Sequence, residues 1–208
     1  VPGRWLCHPA PAWPTLWLPG PHGRHPLRPP KPSGALYRRR IPWLGRVLSL
    51  RDIGPALSPM NAFLVLTGIE TLPLRMQRHC DNANAVANWL SQHPKVAWVS
   101  YPGLAGDRYH NLAKKYVPKG AGAVFTFGLK GGYDAGVKLV SNVKLFSHLA
   151  NIGDTRSLII QPASTTHRQL SDSQKVAAGA GPDVVRLSIG LEDKDDIIAD
   201  LEQALDAA

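Results

Sequence analysis

The first 50 residues of the chain hold 11 of its 19 prolines and not one aspartate or glutamate. No other feature restricts folding as strongly. Proline fixes φ and removes an amide donor, so at this density neither a helix nor a strand ladder can run. Four of the six tryptophans, three of the eight histidines and eight lysines and arginines share the same stretch, which includes Pro29-Pro30 and Arg38-Arg39-Arg40. Such a composition cannot bury a core. Residues 1–45 are therefore expected to be an unstructured, disordered Pro/Arg-rich head. A polyproline-type ligand tail or a basic anchoring arm is the functional alternative. An out-of-frame translation of a GC-rich gene would give the same mixture, with the true protein resuming near Arg46.

From about residue 51 the pattern changes to that of a folded domain. Ser58-Pro59 is a helix opening, since serine can cap and proline is tolerated in the first turn. Phe63, Leu66, Ile69, Met76, Val86, Trp89 and Leu90 then recur at helical spacing, with Pro73 placed to kink the helix or divide it. Strands are expected at 96–101, 122–129, 145–150, 157–161 and 184–190, each apolar and bounded by Gly, Pro or Asp. Short helices are expected from Tyr109 to Tyr116 and from Gly131-Gly132 through Val140. An amphipathic helix from Asp193 to Leu205 has acids in its first turn, where the helix dipole favours them. This order predicts an α/β (α+β) layer domain.

Charge and motif patterns exclude several classes. The net charge of +9 arises almost wholly in the head: residues 51–208 carry 16 Lys and Arg against 15 Asp and Glu. A nucleic-acid binder would show its basic face on the folded part, so no nucleic-acid partner is expected. No apolar stretch reaches 18 residues, and the opening VPGRWLCHPAPAWPTLWLPG is broken by proline, so neither a membrane span nor a signal peptide is expected. Two cysteines, Cys7 and Cys80, make no disulfide framework and no CxxC pair, which suits a reducing cytoplasm. His8, His22 and His25 with Cys7 lack metal-site spacing, so no metal is expected. KGAGAVFTFG (119–128) lacks the third glycine of a dinucleotide fingerprint. A Ser/Thr/His triad around His167 has no recognisable acid partner.

Five segments carry a resemblance: RDIGPALSPMNAFLVLTGIETLPLRMQRH (51–79), HPKVAWVSYPGL (93–104), KGAGAVFTFGLKGG (119–132), VKLFSHLANIGDTRSLIIQPASTTH (143–167) and PDVVRLSIGLEDKDDIIADLEQAL (182–205). Together they resemble the Cys/Met-metabolism enzymes that use pyridoxal 5'-phosphate (PLP), the trans-sulfuration family of aminotransferase fold type I. The likeness covers residues 46 to 208 and is nearest to O-acetylhomoserine sulfhydrylases. It implies that residues 46–208 are the C-terminal substrate-carboxylate-binding domain of such an enzyme. It also implies a homo-oligomer, dimer or tetramer. The implied reaction is a PLP-dependent γ-replacement in which O-acetylhomoserine and sulfide or methanethiol give homocysteine or methionine. Cystathionine γ-synthase, γ-lyase and O-succinylhomoserine sulfhydrylase are the near alternatives, and a non-catalytic fragment acting by association is a further one.

The resemblance also assigns residues. Arg186, in VVRLSIG, stands where the family binds the substrate's α-carboxylate, a role suited to a planar, bidentate guanidinium. Asn151 and Ile152 occupy carboxylate-contact positions, where many relatives have Ser-Leu, and an Asn-x-Gly surface turn is the alternative reading. Thr166 and His167 match a turn that props up this loop. Gln161 replaces the histidine most relatives show before Pro162. In the family the phosphate-binding turn, the ring-stacking aromatic, the pyridine-pairing aspartate and the Schiff-base lysine lie upstream of the matching region. No segment of these 208 residues resembles them, Lys31 and Lys144 included. No catalytic or cofactor-binding residue is therefore expected here, and the chain by itself is expected to be inactive.

Overall fold

The computed structural model describes residues 56–208, and the expectation for the head falls outside them. The described residues fall in two units, divided between Thr67 and Gly68. Helix α1 (Pro59–Glu70) begins in the first. The Ser58 hydroxyl accepts the Asn61 amide at 3.2 Å, and Pro59 stands where no amide bond is needed, as the capping pattern predicts. Met60, Phe63, Leu64, Val65 and Leu66 are each more than half exposed.

The second unit is built on a four-stranded antiparallel sheet: β1 (Val96–Ser100), β2 (Val124–Leu129), β3 (Leu158–Ile160) and β4 (Val184–Ser188), in the order β1-β2-β4-β3. The last strand in sequence lies inside the sheet, between β2 and β3. Pro73 does divide the long apolar helix: α2 (Leu72–Gln92) starts afresh after Thr71 with the proline in its first turn. Helices α3 (His110–Tyr116), α4 (Gly132–Asn142) and α6 (Lys194–Asp206) follow the predicted spans closely. Ala83, Val86 and Leu90 of α2, Leu139 of α4 and Ile197, Leu201 and Leu205 of α6 form one core with Phe125, Phe127, Val185 and Leu187 of the sheet. Because strand side chains alternate between faces, this core fills one face and leaves the even-numbered residues of β4 on the other.

Two expectations are corrected. Residues 145–150 form no strand; a single parallel bridge joins Ser147 to Leu158. Their apolar run misled the reading, because the amides of Lys144, Leu145 and Phe146 are taken by the Asp200 carboxylate and cannot serve a ladder. A short helix, α5 (Asp172–Ala177), was not anticipated. Its signal is the capping box in which Ser171 and Gln174 satisfy each other's amides.

Candidate functional site

Arg186 lies at the middle of β4, level with Thr126 of β2 on one side and Ile160 of β3 on the other. Its neighbours Val185 and Leu187 are fully buried in the core, so Arg186 projects from the opposite face. Its Nη2 donates to the Asn151 carbonyl at 3.2 Å. Among the described residues no carboxylate pairs with it. A guanidinium has five donors in a rigid fork, and among the described residues most of them are left to an incoming anion. Arg186 is half-buried, and Ser188, two positions on, is buried with its hydroxyl unpartnered.

The structure thus brings Arg186 and Asn151 together. The Asn151 carbonyl holds the guanidinium, while its own Oδ1 accepts the Ile152 amide at 2.8 Å. Gly153 follows at φ +76, a left-handed conformation natural to glycine. The Asn-x-Gly turn and the arginine contact therefore coexist, and the Ile152 amide is spent within the loop. The Ile152 side chain is exposed. Thr166 Oγ1 lies 2.9 Å from His167 Nδ1, and the His167 amide donates to the Pro162 carbonyl at 2.9 Å, which closes a tight turn after β3. Gln161 is fully buried. Its Nε2 donates to the carbonyls of Tyr133 and Pro182, which fixes the amide orientation and leaves Oε1 without a partner.

Three residues that matter to this geometry went unnoticed in the sequence. Asp200 of α6, nearly buried, accepts the amides of Lys144 and Leu145 at 2.8 Å and that of Phe146 at 3.3 Å. Glu192 accepts the Ser157 amide at 2.6 Å and the Ser157 hydroxyl at 2.9 Å. Ser157 in turn accepts the Gly190 amide at 2.9 Å. Acids in an amphipathic helix and its approach read as solvent-facing, and only the packed loop reveals their partners.

A PLP cofactor requires a phosphate cradle, a partner for its ring nitrogen and a lysine amine. The donors near the loop include a guanidinium, the Asn151 side-chain amide, and backbone amides already bound by Asp200, Glu192 and Asn151. Lys144 is exposed and gives its amide to Asp200. These residues suit a carboxylate and do not suit the cofactor itself. Among the described residues no group of three His, Cys, Asp or Glu could hold a metal, and no helix is long and apolar enough to cross a membrane.

Known proteins resemble the chain along most of its length. The family model "Cys/Met metabolism PLP-dependent enzyme" matches residues 33–206, starting ahead of residue 46. An O-acetyl-L-homoserine sulfhydrylase from Leptospira meyeri is 55% identical over 77% of this chain and 36% of its own length. An O-acetyl-L-homoserine sulfhydrylase 1 from Thermus thermophilus is 50% identical over 193 residues, 93% of this chain and 45% of its own. That span is longer than residues 46–208 and so reaches into the proline-rich head. A homocysteine synthase from Schizosaccharomyces pombe is 53% identical over 78% of this chain and 38% of its own. A crystal structure described as an O-acetylhomoserine (thiol)-lyase from Campylobacter jejuni, with N'-pyridoxyl-lysine-5'-monophosphate, superimposes with a TM-score of 0.72. It is 46% identical, over 79% of this chain and 39% of that one. The chain spans less than half the length of each of these relatives. By sequence and by fold, it belongs to the Cys/Met-metabolism family of PLP-dependent enzymes.

Proposed function

We propose that residues 46–208 are the substrate-carboxylate-binding domain of an O-acetylhomoserine sulfhydrylase. The intact enzyme would exchange acetate for sulfide or methanethiol, giving homocysteine or methionine, and would work as a homo-oligomer. The names of the relatives support this choice of substrate. One observation carries the reading: a half-buried guanidinium, pinned by a backbone carbonyl, that no described carboxylate neutralises. Such a group binds a carboxylate through two parallel, charge-assisted hydrogen bonds and so fixes both position and orientation. Fixing the α-carboxylate holds the rest of the amino acid at a constant distance from the reacting centre, which is the positioning part of catalysis. Asn151 contributes by holding Arg186, and its Nδ2 is the further donor on the loop. Ile152 and Thr166 complete the proposed set. The electron-sink chemistry is the cofactor's, supplied by the remainder of the intact enzyme. A reducing cytoplasm suits the free thiol of Cys80.

The test is a hybrid in which a relative's upstream part precedes residue 51. Arg186→Ala is expected to leave the cofactor's absorbance unchanged and to lower kcat/KM for O-acetylhomoserine by about 2–4 kcal/mol, the loss of a charge-assisted bidentate contact. Unchanged kcat/KM would remove Arg186 from the site. The 208-residue chain without the hybrid partner is expected to show no turnover above background when supplied with PLP.

A further inference from the structure

The loop that carries Asn151 is a strap held at both ends by carboxylates. At its start, Asp200 accepts three successive backbone amides, at 2.8, 2.8 and 3.3 Å, and also the Gln203 side-chain amide at 3.1 Å. At its end, Glu192 accepts both the amide and the hydroxyl of Ser157, while the Leu191 amide donates to the Thr155 carbonyl at 2.9 Å. A neck joins the two ends, where the Ser147 amide donates to the Ser157 carbonyl at 3.0 Å. Between these points, residues 148–153 are exposed, and the backbone and side-chain hydrogen bonds that remain are short-range ones. Among the described residues the one exception is the bond from Arg186 to Asn151.

The Glu192 end has little tolerance. A Cβ at Gly190 would come within 2.5 Å of the Arg156 carbonyl carbon and the Ser157 amide nitrogen. The Gly190–Glu192 turn therefore lies flat against the end of the strap, with the carboxylate doubling back over it. Asn82 of α2 fixes that turn from behind by donating to the carbonyls of Gly190 and Glu192, at 3.1 and 2.8 Å. Gly190 also follows Arg186 by four residues along the same segment. The clasp and the arginine thus share a backbone, and the strap joins them a second time through Asn151.

We propose that Glu192 and Asp200 are positioning residues that hold the 147–156 strap so that the Asn151 carbonyl fixes the Arg186 guanidinium. The role of that guanidinium in binding substrate rests on the reading of Arg186 given above. Glu192 is the more sensitive end. A glutamine there keeps one acceptor for the Ser157 amide but turns an NH2 group toward the Ser157 hydroxyl, which then loses its acceptor.

The full 208-residue chain suffices for the test, with Glu192→Gln and Ser157→Ala as independent variants. Without ligand, amide hydrogen exchange at residues 151–157 is expected to speed up about tenfold or more in Glu192→Gln, the loss of a charge-assisted bond. Amides of β2 should exchange as before. The Arg186 Nε–H resonance should shift toward that of a free arginine. A strap and resonance unchanged in both variants would overturn the proposal, and Ser157→Ala decides it if Glu192→Gln does not fold. A second arm titrates each protein with O-acetyl-L-homoserine and with the amino alcohol that lacks its carboxylate. Support is a Kd for the amino acid raised about tenfold in Glu192→Gln, with no binding of the alcohol by either protein. An unchanged Kd despite a loosened strap would reduce the clasp to a stabilising contact and overturn its positioning role. Failure of the wild-type chain to bind the carboxylate would instead overturn the reading of Arg186, with the ligand-free arm still deciding the strap.

Discussion

Burial pushes both the Cys80 thiol and the Tyr101 phenol above their ordinary values. The charge on Cys80 raises Tyr101 further, Asp81 raises both, and a backbone hydrogen bond from Gly122 partly offsets the rise at Cys80. The Tyr101 hydroxyl donates to the Gly122 carbonyl at 3.0 Å, a bond that needs its proton. The sign of the resulting pH dependence is fixed by linkage. The folded chain keeps protons that the unfolded chain releases, so their contribution is whole below the unfolded values and is lost as pH climbs toward the folded ones. The melting temperature should therefore fall progressively above about pH 9, where an unfolded thiol and then a phenol ionise. Tyr101→Phe should flatten that decline, at a cost of about 1 kcal/mol at neutral pH for the lost hydrogen bond. Thermal melts from pH 7 to 11 would check both, and a flat wild-type profile would contradict the assignment. Single residues were unevenly legible in the sequence. Arg186 is singled out in the sequence by the resemblance that VVRLSIG carries. Glu192 and Asp200 were missed because an acid just ahead of an amphipathic helix, or in its middle, reads as solvent-facing. Nothing in the linear pattern points to amides 35 and 56 positions away.

At the scale of elements, periodicity works where one face is buried and fails where a side chain from elsewhere captures the backbone. Helix α6 shows the first case. Ile197, Leu201, Ala204 and Leu205 are fully buried at helical spacing, and Asp193 caps the start by accepting the Asp195 amide at 2.9 Å. Leu201→Ala should cost about 2–5 kcal/mol by opening a cavity at the centre of the core. Chemical denaturation with an unchanged m-value would register it. A loss below 1 kcal/mol would mean that the core collapses around the gap. Residues 145–150 show the second case. LFSHLA reads as a strand, but Asp200 engages its first amides and one bridge is all that remains of a ladder. Pro73 was legible because its effect is local: a missing donor ends one helix and suits the first turn of the next.

For the whole molecule, the relevant fact is that the chain spans less than half of its relatives. Met60, Phe63, Leu64, Val65 and Leu66 are exposed on α1 and point in several directions around it. An apolar surface on every side of a helix expects burial on every side. The 208-residue chain should therefore self-associate, with a weight-average mass that rises with concentration in sedimentation runs. Phe63→Glu with Leu66→Glu should reduce that rise, and a concentration-independent monomer would refute the expectation. The overall layer architecture was readable from the order of helices and strands. The strand order was not, because pairing between distant segments leaves no mark in either one's own pattern.

That strand order has a consequence for the birth of the protein. Val124 pairs with Ser188, and Leu158 pairs with Ser188 from the other side, so the central strand is the last to be synthesised. At ribosomal rates of about 5–20 residues per second, β2 waits several seconds with an open edge, and β3 waits with no strand beside it beyond the bridge to Ser147. An unpaired strand edge is a template for any other chain that offers one. The nascent chain thus passes through an interval in which its neighbours on a polysome compete with its own C-terminal segment. Arg186 enters the sheet only when that competition has been won, so slow translation between residues 130 and 190 should lower the soluble yield without altering the stability of the molecules that escape.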